Sequence, residues 1–160
     1  MPEPLFTSSA VVRPEWIDYN GHMNMGYYLV AFDQVATDEF YDYLGIGLEH
    51  KQAAGKSTFS LAANIDFIGE LMEGAPLRFT TQLIDFDHKR LHFYHSLYHA
   101  DEGFLAATNE NLGMYIDMAT RRSTTFSERQ MERFREELQR GDAHGRPEGV
   151  ARTLGIRRNN

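Results

Sequence analysis

The chain contains one long amphipathic stretch, residues 25–44, followed by four segments of strand character. Met25, Tyr28, Phe32, Val35, Ala36, Phe40 and Tyr43 recur at three- and four-residue steps, with Asp33, Gln34, Thr37, Asp38 and Asp42 on the other side. That period is the apolar face of a helix. Asn24 is placed to cap its start and Gly45 to end it. Segments 57–68, 76–86, 89–99 and 104–117 are divided by turn-like breaks. Breaks this short join antiparallel neighbours, because parallel crossovers need a dozen residues or more. With an extended segment at 5–12 ahead of the helix, the order predicts an α+β domain in two layers, one helix against an antiparallel sheet of about five strands. One helix covers one sheet face. The other face, or an edge, is expected to meet a second copy in a homodimer or homotetramer.

The core domain is expected over 1–126. Ser127-Glu128-Arg129-Gln130 has the form of a capping box, predicting a surface helix over 127–140 that Gly141 ends. Residues 141–160 read as a Gly/Arg-rich, loosely ordered tail. The 160 residues carry 16 Lys+Arg against 23 Asp+Glu, a net charge of −7. That balance weighs against nucleic acid and anionic membranes as partners. No run approaches the ~18 apolar residues of a spanning helix, and the start lacks a signal-peptide pattern, so a cytoplasmic location is expected.

The absence of cysteine removes disulfides, thiolate zinc sites and a cysteine nucleophile together. His88, His92, His95 and His99 would share a helix face, but the surrounding LHFYHSLYH reads as a strand, which sends them to opposite sides. No metal is therefore expected. Neither G-x-S-x-G, G-x-x-x-x-G-K nor H-E-x-x-H occurs, and no cofactor is expected. What remains is Asp18-Tyr19-Asn20-Gly21-His22-Met23-Asn24 running directly into the helix. The Asn20-Gly21 turn brings a carboxylate and an imidazole close to a helix N-terminus with unpaired N–H groups. A base or nucleophile beside backbone donors suits carbonyl hydrolysis. A plain polar turn, with Asn24 as the helix cap, satisfies the same pattern.

The stretch from Trp16 to Tyr28, with D-x-x-G-H-x-N at its centre, resembles hotdog-fold acyl-CoA thioesterases of the 4-hydroxybenzoyl-CoA thioesterase type. The resemblance covers about residues 8–126 and includes Glu73-Gly74-Ala75-Pro76-Leu77 between strands. It implies a long central helix wrapped by the sheet, an acyl-CoA substrate, Asp18 as catalytic carboxylate and the Met25 backbone N–H as the donor polarising the thioester carbonyl. His22 and Asn24 match the family's G-H-x-N continuation and shape the loop. Met23 and Met25 depart from the commonest G-H-V-N-N form, which leaves a backbone role at Met25 intact. Asp18-Tyr19-Asn20-Gly21-His22-Met23-Asn24, together with Asp87-His88-Lys89-Arg90-Leu91-His92 and Ala107-Thr108-Asn109-Glu110, is most similar to the betainyl-CoA thioesterase branch.

The resemblance also implies a site between protomers, which Asn64 or Ser57-Thr58 of a partner would line. Lys89 and Arg90 stand where relatives hold CoA phosphates. Arg121, Arg122, Arg146, Arg152, Arg157 and Arg158 are weaker candidates. Trp16 and Tyr28 would face the acyl group, aromatic walls suited to a compact cationic one. Two other readings stay open at this point: a hotdog protein with hydratase chemistry, and a non-catalytic CoA-binding hotdog protein.

Overall fold

The computed structural model describes residues 1–156. Its strands are β1 (Phe6–Val11), β2 (Lys56–Phe67), β3 (Pro76–Phe86), β4 (Arg90–His99), β5 (Leu105–Asp117) and the short β6 (Arg122–Ser123). All pairings are antiparallel, in the order β1-β3-β4-β5-β2 with β6 beside β5. The helix comprises α1 (Met25–Ala31), a π-helical segment (Phe32–Thr37) and α2 (Asp38–Leu44). It lies across one face of the sheet. Asn24 caps its start by accepting the Gly26 N–H at 2.9 Å, and Gly45 ends it with φ 78°.

The π segment corrects the uniform helix read from the sequence. Tyr28, Phe32, Ala36, Phe40 and Leu44 are all buried, each four residues after the last. On a 3.6-residue turn every such step overshoots by about 40°. The wider turn, in which the Asp38 N–H reaches back to Asp33 O, takes up part of that drift. Thr37 and Tyr41 thereby join the buried side and Val35 and Tyr43 are only partly covered, while Met25, at the first turn of the helix, is exposed.

The buried residues form two clusters, one toward each end of the sheet. Val12, Trp16, Met23, Tyr28, Phe32, Leu77 and Phe79 belong to the first, Phe40, Leu83, Phe93, Tyr115, Phe126 and Phe134 to the second. Between helix and sheet, His95 is fully buried, bridged to Thr37 at 2.9 Å and Thr81 at 2.7 Å. Burial alone lowers its pKa to about 3. A neutral ring meets both hydroxyls by donating through one nitrogen and accepting through the other. His92, on the opposite face, bonds Glu110 at 2.8 Å.

The connection after Gly45 contains a further helix, α3 (Leu48–Ala54). The expectations for 127–140 and 141–160 need correction. Gly141 does not end the last helix, α4 (Glu128–Asp142), but lies within it, where a Cβ would come 2.7 Å from Leu83 O. That contact, with Phe134 and Glu137 buried, makes α4 a packed flank of the sheet and not only a surface helix. The segment after α4 is also laid down in order. Gln82 Nε2 donates to Gly141 O at 2.8 Å and Gly145 O at 2.9 Å, the Ala151 N–H donates to Glu110 Oε2 at 2.9 Å, and Arg152 pairs with Asp66. This strap lies over part of the face that the helix leaves open. Arg157 and Arg158 fall outside the described residues.

Candidate active site

The loop between β1 and α1 is built from local backbone bonds. The Asp18 N–H donates to His22 O at 3.1 Å, and the Gly21 N–H returns to Asp18 O at 3.0 Å. Gly21 has φ 82°, which L side chains adopt only with strain. The Met23 N–H is anchored on Leu71 O at 2.8 Å and the Asn24 N–H on Trp16 O at 2.8 Å. The loop is thereby fixed to the β2–β3 connection.

Asp18 is held at both oxygens. The Asn20 N–H donates to Oδ1 at 2.8 Å and Asn24 Nδ2 to Oδ2 at 3.0 Å. The Asn20 bond first, then that of Asn24, lowers its pKa below the usual aspartate value. The carboxylate is thus ionised near neutral pH. Asn24 has two functions: its Oδ1 caps the helix while its Nδ2 positions Asp18. Tyr27 N–H closes on Asn24 O at 3.0 Å. Among the described residues, the Met25 N–H has no acceptor. An ionised carboxylate and an open helix-terminal donor therefore flank one asparagine.

His22 and Met25 line a cleft of about 240 Å³ with Tyr28, Phe67, Ile68 and Glu70. His22 bonds Met23 O at 3.1 Å through Nδ1, and its Nε2 lies 3.9 Å from Glu70. Tyr28 is buried, its OH donating to Gly69 O at 3.1 Å. Sequence reasoning missed Phe67 and Glu70. They arrive through the β2–β3 connection, and no local pattern announces that they meet the loop.

The other predicted residues stand elsewhere in the chain. Trp16 is 6% exposed, with Tyr27 stacked on it at 6.2 Å and the Arg13 guanidinium 5.4 Å from its ring centre. It packs the loop and does not line the cleft. Asn64 lies on β2, donating to Glu110 at 3.3 Å on the face away from the helix. Arg90 is paired with Asp87 at 2.5 Å, and Lys89 adjoins it at the β3–β4 turn. The chain leading into the Asp18 loop meets the start of β3, through Val12 N–H to Ala75 O, whereas that turn follows its end. Eleven residues of strand separate the two by about 30 Å.

Residues 12–134 match the thioesterase-like superfamily. The chain belongs to that superfamily. A betainyl-CoA thioesterase from Pseudomonas aeruginosa is 35% identical over 156 residues, 98% of each chain. An L-carnitine dehydrogenase/betainyl-CoA thioesterase from Ruegeria pomeroyi is 35% identical over 122 residues, 76% of this chain and 24% of that protein. This chain therefore spans all but the ends of the first relative and about a quarter of the second. A Staphylococcus aureus protein solved in complex with CoA superposes with a TM-score of 0.89 at 29% identity over 98% of each chain. The thioesterase-like relationship and the hotdog architecture implied by the D-x-x-G-H-x-N loop are both borne out.

Proposed function

We propose that this thioesterase-like protein is an acyl-CoA thioesterase that hydrolyses a compact, cationic acyl-CoA of the betainyl type in the cytoplasm. One observation carries the reading: Asp18, ionised and held at both oxygens, is joined through Asn24 to a helix start whose Met25 N–H is open. The thioester carbonyl would accept the Met25 N–H. Asp18 either removes a proton from the attacking water or attacks the carbonyl itself to form an anhydride that water then opens. In both routes the C–S bond breaks, the thiolate takes a proton and leaves as CoA, and the acyl group departs as the carboxylate. The donor contributes most as the carbonyl oxygen becomes an oxyanion. The similarity to a betainyl-CoA thioesterase supports the acyl class.

The phosphates of CoA need cations, and Lys89 and Arg90 lie at the other end of β3 from this chain's own Asp18 loop. A two-fold assembly supplies them. β2 is a 12-residue edge strand bearing exposed Phe59, Leu61 and Phe67. Such an edge is a template for pairing with another chain. Antiparallel pairing with its own copy sets the start of one β2 beside the end of the other, which brings a partner's Lys56, Lys89 and Arg90 toward the cleft. The strap supports the edge, and not the open face, as the interface.

The test is thiol release from a panel of CoA thioesters: trimethylammonioacetyl, 3,3-dimethylbutanoyl, acetyl and palmitoyl. The reading expects turnover on short acyl groups, greatest on the cationic one. No thiol release from any of them overturns it.

A further inference from the structure

The cleft beside Met25 has one carboxylate and two aromatic rings that the hydrolytic reading does not use. Tyr28 and Phe67 meet edge to face, ring centres 5.3 Å apart and planes at 86°. Tyr28 is fixed by its bond to Gly69 O, and Phe67 remains 46% exposed. Glu70 follows on the β2–β3 connection with its side chain 68% exposed. Burial and then the nearby Glu70 charge push the Tyr28 phenol above its usual pKa, consistent with the carboxylate standing close to the ring.

We infer that Glu70, with the Tyr28 and Phe67 rings, is the subsite that selects a quaternary ammonium on the acyl group. This rests on the hydrolytic reading above. In a betainyl thioester the ammonium is one carbon from the carbonyl, so a carbonyl seated on the Met25 N–H leaves the cation inside this cleft. A trimethylammonium group has no N–H to donate. It is recognised by aromatic faces and by an anion at contact distance, and the rings and Glu70 provide both. Trp16 does not line this cleft, and its ring already has Tyr27 stacked at 6.2 Å and the Arg13 guanidinium 5.4 Å from its centre. Glu70 is therefore a specificity residue: it acts on the substituent and not on the reacting carbonyl.

The experiment compares kcat/KM for trimethylammonioacetyl-CoA with that for 3,3-dimethylbutanoyl-CoA, its uncharged isostere, in the wild type, Glu70→Gln and Phe67→Leu. The wild type is expected to prefer the cation, and Glu70→Gln to lower that preference at least tenfold, with a smaller drop in Phe67→Leu. Glu70 is exposed, so thermal unfolding should match the wild type. A wild type that cleaves neither thioester overturns the hydrolytic reading and this subsite with it. A wild type that cleaves both equally overturns the cationic substrate. A wild-type preference that survives in Glu70→Gln overturns the role of Glu70 alone.

Discussion

Two helices begin beside clefts in this molecule, and their first turns are finished differently. At α4 the capping box closes on itself: Ser127 Oγ accepts the Gln130 N–H at 3.2 Å and Gln130 Oε1 accepts the Ser127 N–H at 2.7 Å. The Gln130 amide also donates to Tyr115 OH at 3.2 Å, and that hydroxyl lies 2.5 Å from His50 Nε2. At α1, the Asn24 side chain accepts the Gly26 N–H, the Met25 N–H has no acceptor among the described residues, and the other end of the same side chain steadies a carboxylate. The groove at α4 encloses about 1100 Å³, against about 240 Å³ at α1. Size therefore does not mark the chemistry. What sets α1 apart is one side chain, Asn24, that caps the helix and holds an ionised carboxylate at once.

The largest effect that would break this contrast lies at Asp18. Asp18→Asn should lower kcat by ~10²–10⁴-fold, the usual cost of an acid–base group, with an unchanged circular dichroism spectrum. Turnover close to wild type would remove Asp18 from the mechanism.

Below neutral pH the seam between helix and sheet should weaken. Its pKa lowered to about 3 by burial, His95 stays neutral in the fold while the unfolded chain takes up a proton near 6.5. The associated stability is complete above pH 6.5 and is lost at up to about 1.4 kcal/mol per pH unit as pH falls toward 3. Urea unfolding between pH 7 and 4.5 measures the slope. His95→Gln should flatten it, and an equal slope in that variant would assign the loss to other groups.

The smallest effects sharpen the comparison most. Asn24→Ala and Ser127→Ala each remove a helix cap and should each cost about 1 kcal/mol in urea unfolding. Only Asn24→Ala should also reduce kcat, by roughly tenfold or more, because it alone releases the Asp18 carboxylate. Equal activity in the two variants would make Asn24 a cap and nothing else.

The site was legible in the sequence where its bonds are local. Asp18, Asn20, Gly21 and Asn24 lie within one turn and its flanking residues, so the turn and the Asn24 cap are readable from their spacing, while the bond from Asn24 Nδ2 to Asp18 is not. The ends of the helix were legible for the same reason, in Asn24 and Gly45. The π segment was not, since a search at 3.6 residues per turn absorbs four-residue steps as ordinary scatter. Glu70 and Phe67 reach the cleft through tertiary packing. The strap was read as loose because its anchors are remote: Ala151 binds a glutamate 41 residues away, and Arg152 an aspartate 86 residues away. Lys89 and Arg90 were picked out by resemblance, and a single chain holds them at the far end of β3.

The central claim is that the Met25 N–H is an oxyanion donor and contributes nothing to the fold. Replacing residue 25 with the α-hydroxy analogue of methionine exchanges that N–H for an ester oxygen and leaves the side chain in place. The account predicts a fall in kcat of ~10²–10³-fold, the effect of removing one such donor. Stability should fall by no more than about 1 kcal/mol, because the Asn24 ester carbonyl accepts the Tyr27 N–H less strongly. An ester variant that turns over like the wild type would contradict it.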